Sequence, residues 1–219
     1  QALGYEAVAH GSGRWNGVAI LSRVGLEDVT LGVSQQPPYE GVVETRAVGA
    51  TCGGVRIWSV YVPNGREPDH DHYAYKLSWF AALQATIAAG LAGAPDQPLA
   101  VIGDFNVAPT DADVWDIEQF RQSTHVTPAE RAALTDLLDV GLADLPPRAL
   151  KGEPYTFWDY RNGAFHRGWG MRIDLVYANP AFAARVTDTW IDREERKGKG
   201  ASDHAPVVID LADPDAPSA

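Results

Sequence analysis

Short apolar segments rich in Val and Ile recur along the chain between turn-forming residues, and they predict most of its strands. The clearest is 99–102, a continuous apolar run that ends in a Gly turn and is typical of a buried strand. Cys52-Gly53-Gly54 joins two further runs and predicts a hairpin. The predicted strands are 18–22, 45–51, 55–62, 99–102, 172–177, 186–191 and 206–211.

One long segment has helical rather than strand spacing. Residues 72–92 carry an apolar stripe at helical intervals, formed by Tyr73, Leu77, Phe80, Ile87 and Leu91. Gly93 and Pro95 are expected to end this helix. Tyr75 lies roughly a hundred degrees away from the stripe, so the pattern predicts that it is not a core residue.

A second helix is predicted from its capping signal. Thr127-Pro128-Ala129-Glu130 combines a capping box with Pro at the first helical position. The helix is expected to continue through Leu134, Leu137 and Leu138 to Gly141.

The order of these elements favours an α+β arrangement. Strands dominate without regular βαβ alternation, which indicates packed sheets faced by helices rather than a doubly wound parallel sheet. The chain length, and the absence of an internal repeat or interdomain linker, predict one domain over 1–219. Residues 213–219, rich in Pro, Asp and Ala, are expected to form a flexible tail.

Composition narrows the cellular context. No apolar run reaches about eighteen residues, so no membrane partner is expected. The single Cys52 excludes an internal disulfide framework and favours a reducing, cytoplasmic compartment.

The charge distribution changes what the net charge implies about partners. A formal charge of −11 argues against nucleic acid, yet residues 148–200 carry 10 Lys and Arg against 7 Asp and Glu. We therefore expect this segment to meet phosphate groups. Its candidate side chains are Arg161, Arg167, Arg172, Arg193, Arg196, Lys197 and Lys199.

Two polar motifs adjoin predicted strands and carry the candidate chemistry. Gly103-Asp104-Phe105-Asn106 follows one strand, and Ser202-Asp203-His204-Ala205-Pro206 precedes another. In extended backbone, residues two apart share a face, so Asp104 and Asn106 could converge on one ligand. Hard oxygen ligands suit Mg²⁺ or Mn²⁺, and a carboxylate with an imidazole suits activation of water, as in a phosphodiester hydrolase. The alternative is a turn held by side chain to backbone hydrogen bonds.

Further motifs occur in a fixed order over nearly the whole chain. They are Trp15-Asn16-Gly17-Val18-Ala19-Ile20-Leu21-Ser22-Arg23, Val60-Tyr61-Val62-Pro63-Asn64-Gly65, Tyr75 within a helix, Ile102-Gly103-Asp104-Phe105-Asn106-Val107-Ala108-Pro109-Thr110, Tyr155-Thr156-Phe157-Trp158-Asp159-Tyr160, Met171-Arg172-Ile173-Asp174 and Ser202-Asp203-His204-Ala205-Pro206-Val207. Together they resemble the exonuclease III and apurinic/apyrimidinic endonuclease branch of the endonuclease/exonuclease/phosphatase family. The resemblance implies a four-layered αββα sandwich, with two mixed sheets packed face to face and flanked by helices.

One part of the family pattern has no counterpart. Family members open with a strand carrying Asn and a second strand carrying a metal-binding Glu, both before the segment that starts here at Gly4-Tyr5. The only methionine is Met171. We therefore expect the N-terminal strands to be missing from this sequence.

The resemblance also implies roles for particular residues. Asp104 would orient or deprotonate the attacking water, and Asn106 would donate hydrogen bonds to the transition-state oxygens. Asp203 would hold His204 against the phosphate, and Asp174 would support the metal and His region. Tyr75 would contact the scissile phosphate. The implied catalytic set is Tyr75, Asp104, Asn106, Asp174 and His204, with Asp104, Asn106, Asp203 and His204 as candidate ligands of Mg²⁺ or Mn²⁺.

The implied substrate is double-stranded DNA with an abasic site or a 3′ end, acted on by a monomer. In the family, residues matching Phe157, Met171 and Ile173 line a pocket for an extruded abasic nucleotide. The predicted substrate-binding residues are Asn64, Phe157, Trp158, Met171, Arg172 and Ile173.

Two alternatives stay open at this point. The first is another phosphohydrolase of the superfamily, such as an inositol phosphatase, a sphingomyelinase or a secreted deoxyribonuclease, which would share the two polar motifs. Met-Arg-Ile-Asp and Tyr-Thr-Phe-Trp favour the repair nucleases over these enzymes. The second is a truncated domain that binds DNA without cutting it, because loss of a ligand from a small oxygen cluster weakens binding of hard metals.

Overall fold

The computed structural model describes residues 3–13 and 15–213. Its strands are β1 Glu6–Ser12, β2 Asn16–Ser22, β3 Glu27–Leu31, β4 Ala47–Cys52, β5 Val55–Tyr61, β6 Leu99–Asp104, β7 Ala143–Asp144, β8 Arg148–Ala149, β9 Asp174–Ala178, β10 Val186–Ile191 and β11 Val207–Leu211. Its α-helices are α1 Asp71–Gly93, α2 Ile117–Phe120, α3 Pro128–Leu138, α4 Ala164–Arg167 and α5 Pro180–Ala183.

A six-stranded mixed sheet organises the molecule, in the order β3-β4-β5-β6-β9-β7. Strands β5 and β6 run parallel, with Tyr61 opposite Asp104. Strands β6 and β9 run antiparallel, with Asp104 opposite Asp174. Since opposed residues in a sheet lie side by side, this register brings two carboxylates together at the end of β6.

Helix α1 covers one face of this sheet. It starts at His70, whose side chain accepts a hydrogen bond from the His72 backbone N–H, and it packs against α3. Trp79, Phe80 and Leu83 are fully buried against the sheet residues Trp58, Val60, Val101, Leu175 and Tyr177. Truncating one of these helix side chains to Ala would cost about 2–5 kcal/mol, because a cavity would remain.

A second β layer covers the opposite face in two pieces. The β1–β2 hairpin packs through Ile20 on Val48 and Ala50. The three-stranded sheet β11-β10-β8 packs through residues such as Ile209 on the part of the main sheet that contains Ala100 and Ala178. Two packed β layers with flanking helices confirm the predicted α+β sandwich.

The buried stripe of α1 differs from the predicted one. The buried residues are His72, Tyr75, Lys76, Trp79, Phe80, Leu83 and Ile87. Tyr73 and Leu77 are only half-buried, and Tyr75 belongs to the core, so the prediction for Tyr75 was wrong. The error has a physical cause: the true stripe contains His72 and Lys76, and polar residues within it made the neighbouring stripe seem the more apolar one.

Most predicted elements are confirmed within a few residues. Strand 186–191 matches β10, the long helix matches α1, and the capping box of α3 forms, although α3 ends at Leu138 rather than Gly141. Strands β1, β3, β7 and β8 were not predicted. Among the described residues, no helix is both long and apolar enough to cross a membrane. The predicted tail lies outside the described residues except for Asp213.

Candidate active site

Asp104 lies at the end of β6, where the backbone passes unusually close to β5. Gly103 has φ of +134°, and a Cβ there would lie 2.1 Å from the Val60 carbonyl oxygen. Only glycine tolerates both the conformation and the contact. The Gly103-Asp104 sequence therefore fixes where the Asp104 carboxylate emerges from the sheet.

Asn106 holds this carboxylate in place. Its backbone N–H donates to Asp104 Oδ1 at 2.8 Å, and its Nδ2 donates to Asp104 Oδ2 and to the Val62 carbonyl, both at 3.0 Å. Asn64 Nδ2 donates to Asn106 Oδ1 at 3.2 Å. The hydrogen-bonded turn that was the alternative for this motif is thus present. Because both amide hydrogens of Asn106 are engaged, Asn64, which is exposed, is the amide with a hydrogen left for substrate.

Asp174 and His204 complete the site from the other side. The His204 Nδ1 lies 2.7 Å from Asp174 Oδ2. The loop that carries His204 is fixed by backbone hydrogen bonds from Ala205 N–H to the Thr156 carbonyl and from Trp158 N–H to the Asp203 carbonyl. We call Asp104, Asp174 and His204 the acid–imidazole cluster.

The pKa values of Asp104 and His204 are both raised in this cluster, which sets two carboxylates beside a single imidazole. Burial and, to a smaller extent, the adjacent Asp174 carboxylate raise the pKa of Asp104 to about 7, against the opposing effect of His204. Burial lowers the pKa of His204, but the hydrogen bond and charge of Asp174 outweigh it and raise that pKa to about 9. At neutral pH His204 is therefore an imidazolium, and Asp104 is close to its midpoint.

One prediction about the polar motifs needs correction. The carboxylate that holds His204 is Asp174 and not Asp203, because the strand register places Asp174 beside the ring while Asp203 contributes its backbone carbonyl to the loop. In the described ranges, no group of three His, Cys, Asp or Glu side chains is arranged to hold a metal ion by itself. The ligand set of Asp104, Asn106, Asp203 and His204 stays a prediction.

Tyr75 is buried beside a polar group that sequence reasoning missed. Its ring stacks on Tyr39 with centroids 5.2 Å apart, and its buried hydroxyl lies close to the Glu44 carboxylate. Burial raises the pKa of Tyr75, and the Glu44 carboxylate adds to this effect. Glu44 itself accepts from Arg46 Nε at 2.6 Å. Neither charged residue stood out in the sequence, because a lone charge before a strand is common on surfaces.

A cavity of about 620 Å³ is lined by none of the predicted catalytic residues, but one of its walls, Phe157, links it to His204. The Phe157 ring lies 5.0 Å from the His204 ring, and Phe157 and Met171 both line the cavity. Ile173 is buried in the same apolar cluster without lining the cavity. The remaining walls of the cavity are formed by Trp115, Gln119, Phe120, Asp159, Arg161, Asn162, Ala164 and Trp169. Trp115 and Trp169 stack with centroids 4.7 Å apart.

Two predicted substrate-binding residues are buried away from solvent. Trp158 packs edge-on against Phe165 inside an apolar cluster. Arg172 is held between two carboxylates: its Nε lies 2.6 Å from Asp113 Oδ1 and its Nη2 lies 3.0 Å from Asp144 Oδ2. Neither side chain is free to bind a substrate. We call Arg172 with Asp113 and Asp144 the arginine clamp.

The basic segment divides into internal and external cations. Arg193 donates to the Phe165 carbonyl, and the buried Arg196 donates to the Trp158 carbonyl, so both hold the fold together. Of the predicted phosphate-binding candidates, Arg161, Arg167, Lys197 and Lys199 are exposed at the surface.

Comparison with known proteins places this site in context. The chain is 29% identical to the DNA repair nuclease APEX1 of Danio rerio over 90% of its own length, and it spans 61% of that protein. It is 28% identical to exodeoxyribonuclease III of Haemophilus influenzae, spanning 80% of it. Among solved structures, the 3′ phosphatase NExo from Neisseria bound to a product DNA hairpin is similar, with a TM-score of 0.88 and 37% identity. That match covers 96% of this chain and 80% of the other.

An AP endonuclease from Archaeoglobus fulgidus is similar as well, with a TM-score of 0.86, 33% identity and coverage of 96% and 80% of the two chains. The model of the Endonuclease/Exonuclease/phosphatase family matches residues 2–204. The chain belongs to this family.

Proposed function

We propose that the chain acts as a DNA-repair nuclease of the exonuclease III type, hydrolysing phosphodiesters at abasic sites or at 3′ ends. One observation supports this most: Asp104, Asp174 and His204 meet at one place, and the His204 ring contacts Phe157, which lines the cavity. The relatives that resemble this chain over nearly its whole length are repair nucleases and a 3′ phosphatase acting on DNA.

The chemistry follows from where charge develops. Attack of water on phosphorus places negative charge on the phosphoryl oxygens and on the leaving 3′ oxygen, so catalysis needs fixed donors and a proton acceptor. Asp104, held by Asn106, orients the water and takes its proton. The imidazolium of His204, held by Asp174, stabilises the phosphoryl oxygens. The free amide hydrogen of Asn64 adds a further donor.

The donor set fits a hard divalent ion such as Mg²⁺ or Mn²⁺. Asp104 and Asp174 supply carboxylate oxygens side by side, and the raised pKa of Asp104 shows that a nearby cation would stabilise its ionised form. Mg²⁺ binds proteins through one or two carboxylates and takes its remaining ligands from water and phosphate. The bound ion would neutralise charge on the phosphate. His204 is the weakest candidate ligand, since an imidazolium has no free lone pair.

DNA would be held by the surface around the cavity. Arg161 lines the cavity, and Arg167 at the end of α4 lies over the ring of Trp169, another of its walls. Neutralising phosphates with such side chains is the main source of DNA affinity. We further propose that the protein works as a monomer in the cytoplasm, in line with its single Cys52.

A substrate comparison tests the proposal against the other phosphohydrolases. We expect Mg²⁺-dependent, chelator-sensitive cleavage of duplex DNA with one abasic analogue, no phosphate release from an inositol phosphate headgroup and no phosphocholine release from sphingomyelin. Release of phosphate from the headgroup alone would replace the proposal with an inositol phosphatase.

A non-catalytic DNA-binding domain is the second candidate. The observation that favours it is the absence of a three-ligand cluster among the described residues. Titration calorimetry with Mg²⁺ beside the cleavage assay separates the two candidates. Tight binding of nicked DNA without metal-stimulated turnover would establish the binding domain instead.

A further inference from the structure

A buried ion pair lies directly under the site. Lys76 of α1 and Glu130 of α3 are joined by a 2.5 Å contact between Nζ and Oε1, and both side chains have 0% exposure. Taking two charges out of water costs several kcal/mol per ion, and replacing such a pair with apolar residues is often neutral or stabilising. A gain in stability therefore does not by itself account for this pair.

The other contacts of Lys76 lead to the site loops. Its Nζ donates to the Asn106 carbonyl at 2.7 Å and to the Asn64 carbonyl at 3.1 Å. Together with Glu130, these acceptors use all three ammonium hydrogens. A single buried cation thus ties together the two loops whose amide side chains bond each other.

The backbone of Asn106 needs such support. Its φ of +51° lies in the left-handed region, which Asn adopts more readily than most residues with a side chain but which is less favourable than the right-handed region. The Asn106 carbonyl accepts from Lys76 and from His125 Nδ1, so two donors fix this conformation. The same conformation aims the Asn106 backbone N–H and Nδ2 at the Asp104 carboxylate.

Glu130 keeps Lys76 in position. Its Oε1 accepts from Thr124 Oγ1 at 2.6 Å and from the His125 N–H at 3.0 Å, while its Oε2 accepts from Thr127. The carboxylate therefore caps α3, neutralises Lys76 and binds the loop that carries His125.

We propose that Lys76, fixed by Glu130, is a positioning residue for phosphodiester hydrolysis: it sets the geometry of Asn64 and Asn106 and, through Asn106, that of Asp104. This inference rests on the proposed function. The chain of contacts runs from Glu130 to Lys76, to Asn106 and to Asp104, and no member before Asp104 needs to touch the substrate.

The test compares a charge-free pair with an unrelated ion pair. Lys76→Met alone leaves Glu130 buried without its cation and is expected to impair folding. The informative variant is Lys76→Met with Glu130→Gln, which removes both charges and keeps an acceptor for the cap of α3. The control is Arg121→Gln with Glu118→Gln, a surface pair whose side chains are 60% and 65% exposed.

We expect the charge-free variant to stay folded and to lose about 10²-fold in kcat with little change in KM, since a displacement of about 1 Å has effects of that size. Amide hydrogen exchange should accelerate at Asn106 and stay slow in α1 and α3, and the control should match the parent chain in both measurements. A folded charge-free variant with the parent's kcat would overturn the inference.

A parent chain that cleaves no DNA would refute the proposed function alone. Amide hydrogen exchange at Asn106 would then test the role of Lys76. Faster exchange in the charge-free variant would support the inference, and unchanged exchange would overturn it.

Discussion

Two charged clusters in this protein have the same composition and differ in how they are connected. The acid–imidazole cluster and the arginine clamp each contain two Asp residues and one cationic side chain. In the clamp, Arg172 donates four hydrogen bonds, two to each carboxylate. In the acid–imidazole cluster, the hydrogen bond of His204 reaches Asp174, and Asp104 has no cation bonded to it among the described residues.

This difference separates a structural cluster from a reactive one. The guanidinium fork binds two carboxylates with four of its five N–H groups, and its burial keeps it from a substrate. Asp104, by contrast, is held by amide donors beside a second carboxylate, and its pKa rises to about 7. Residual electrostatic strain of this kind is typical of functional sites.

Replacing Asp104 gives the largest expected effect. Asp104→Asn should lower DNA cleavage by about 10²- to 10⁴-fold, because a proton acceptor of the attacking water is lost. The measurement is single-turnover cleavage of an abasic duplex, with DNA affinity as the control for folding. Unchanged cleavage would remove Asp104 from the mechanism.

Breaking the clamp should affect stability and spare the chemistry. Arg172→Leu leaves Asp113 and Asp144 without their cation, and we expect a loss of roughly 3–5 kcal/mol in the free energy of unfolding. Urea denaturation measures this loss. Adding Asp113→Asn should recover part of it. An Arg172→Leu protein of full stability but poor DNA affinity would restore Arg172 as a substrate-binding residue.

Titration of His204 sharpens the comparison between the acid–imidazole cluster and the arginine clamp. Its folded pKa of about 9 exceeds its ordinary 6.5, so its contribution to stability is complete below pH 6.5 and is lost as the pH rises through 9. In Asp174→Asn, the pKa of His204 should fall towards the ordinary value, as followed by NMR of the imidazole. An unchanged pKa would show that Asp174 does not stabilise the imidazolium, and Asp203→Asn serves as the matched comparison.

The smallest effect is expected at the cavity rim. The side chain of Arg161 is 83% exposed and pairs with Asp159. Arg161→Gln should leave stability nearly unchanged and reduce the salt slope of DNA binding by about 1. Binding measured across a salt series tests this. A salt slope equal to that of the parent chain would show that bound DNA does not contact Arg161.

The comparison also explains what the sequence could predict. Asp104 and Asn106 were identifiable because a polar motif follows a strongly apolar strand, and local spacing then determines where their side chains point. The partner of His204 was not identifiable from spacing. Asp203 is its neighbour in sequence, but the pairing of β6 with β9 brings Asp174 to the ring, and that register arises from tertiary packing.

Buried polar residues caused the remaining errors. Lys76 and His72 lie in the core-facing stripe of α1, so the stripe seemed to lie elsewhere and Tyr75 was placed outside the core. Arg172 follows an aromatic motif in a basic segment, which suggested phosphate binding. Asp113 and Asp144, which neutralise it, lie far away in the sequence and become neighbours only in the folded chain.

The central claim is that water, oriented by the acid–imidazole cluster, attacks phosphorus and expels the 3′ oxygen. The most direct test is cleavage of a natural abasic duplex in H₂¹⁸O, followed by mass spectrometry of the products. We predict a 3′ hydroxyl on one fragment and one solvent ¹⁸O in the 5′ phosphate of the other. A 3′ unsaturated aldehyde on one fragment, with no ¹⁸O in the 5′ phosphate of the other, would show cleavage by elimination and would contradict the account.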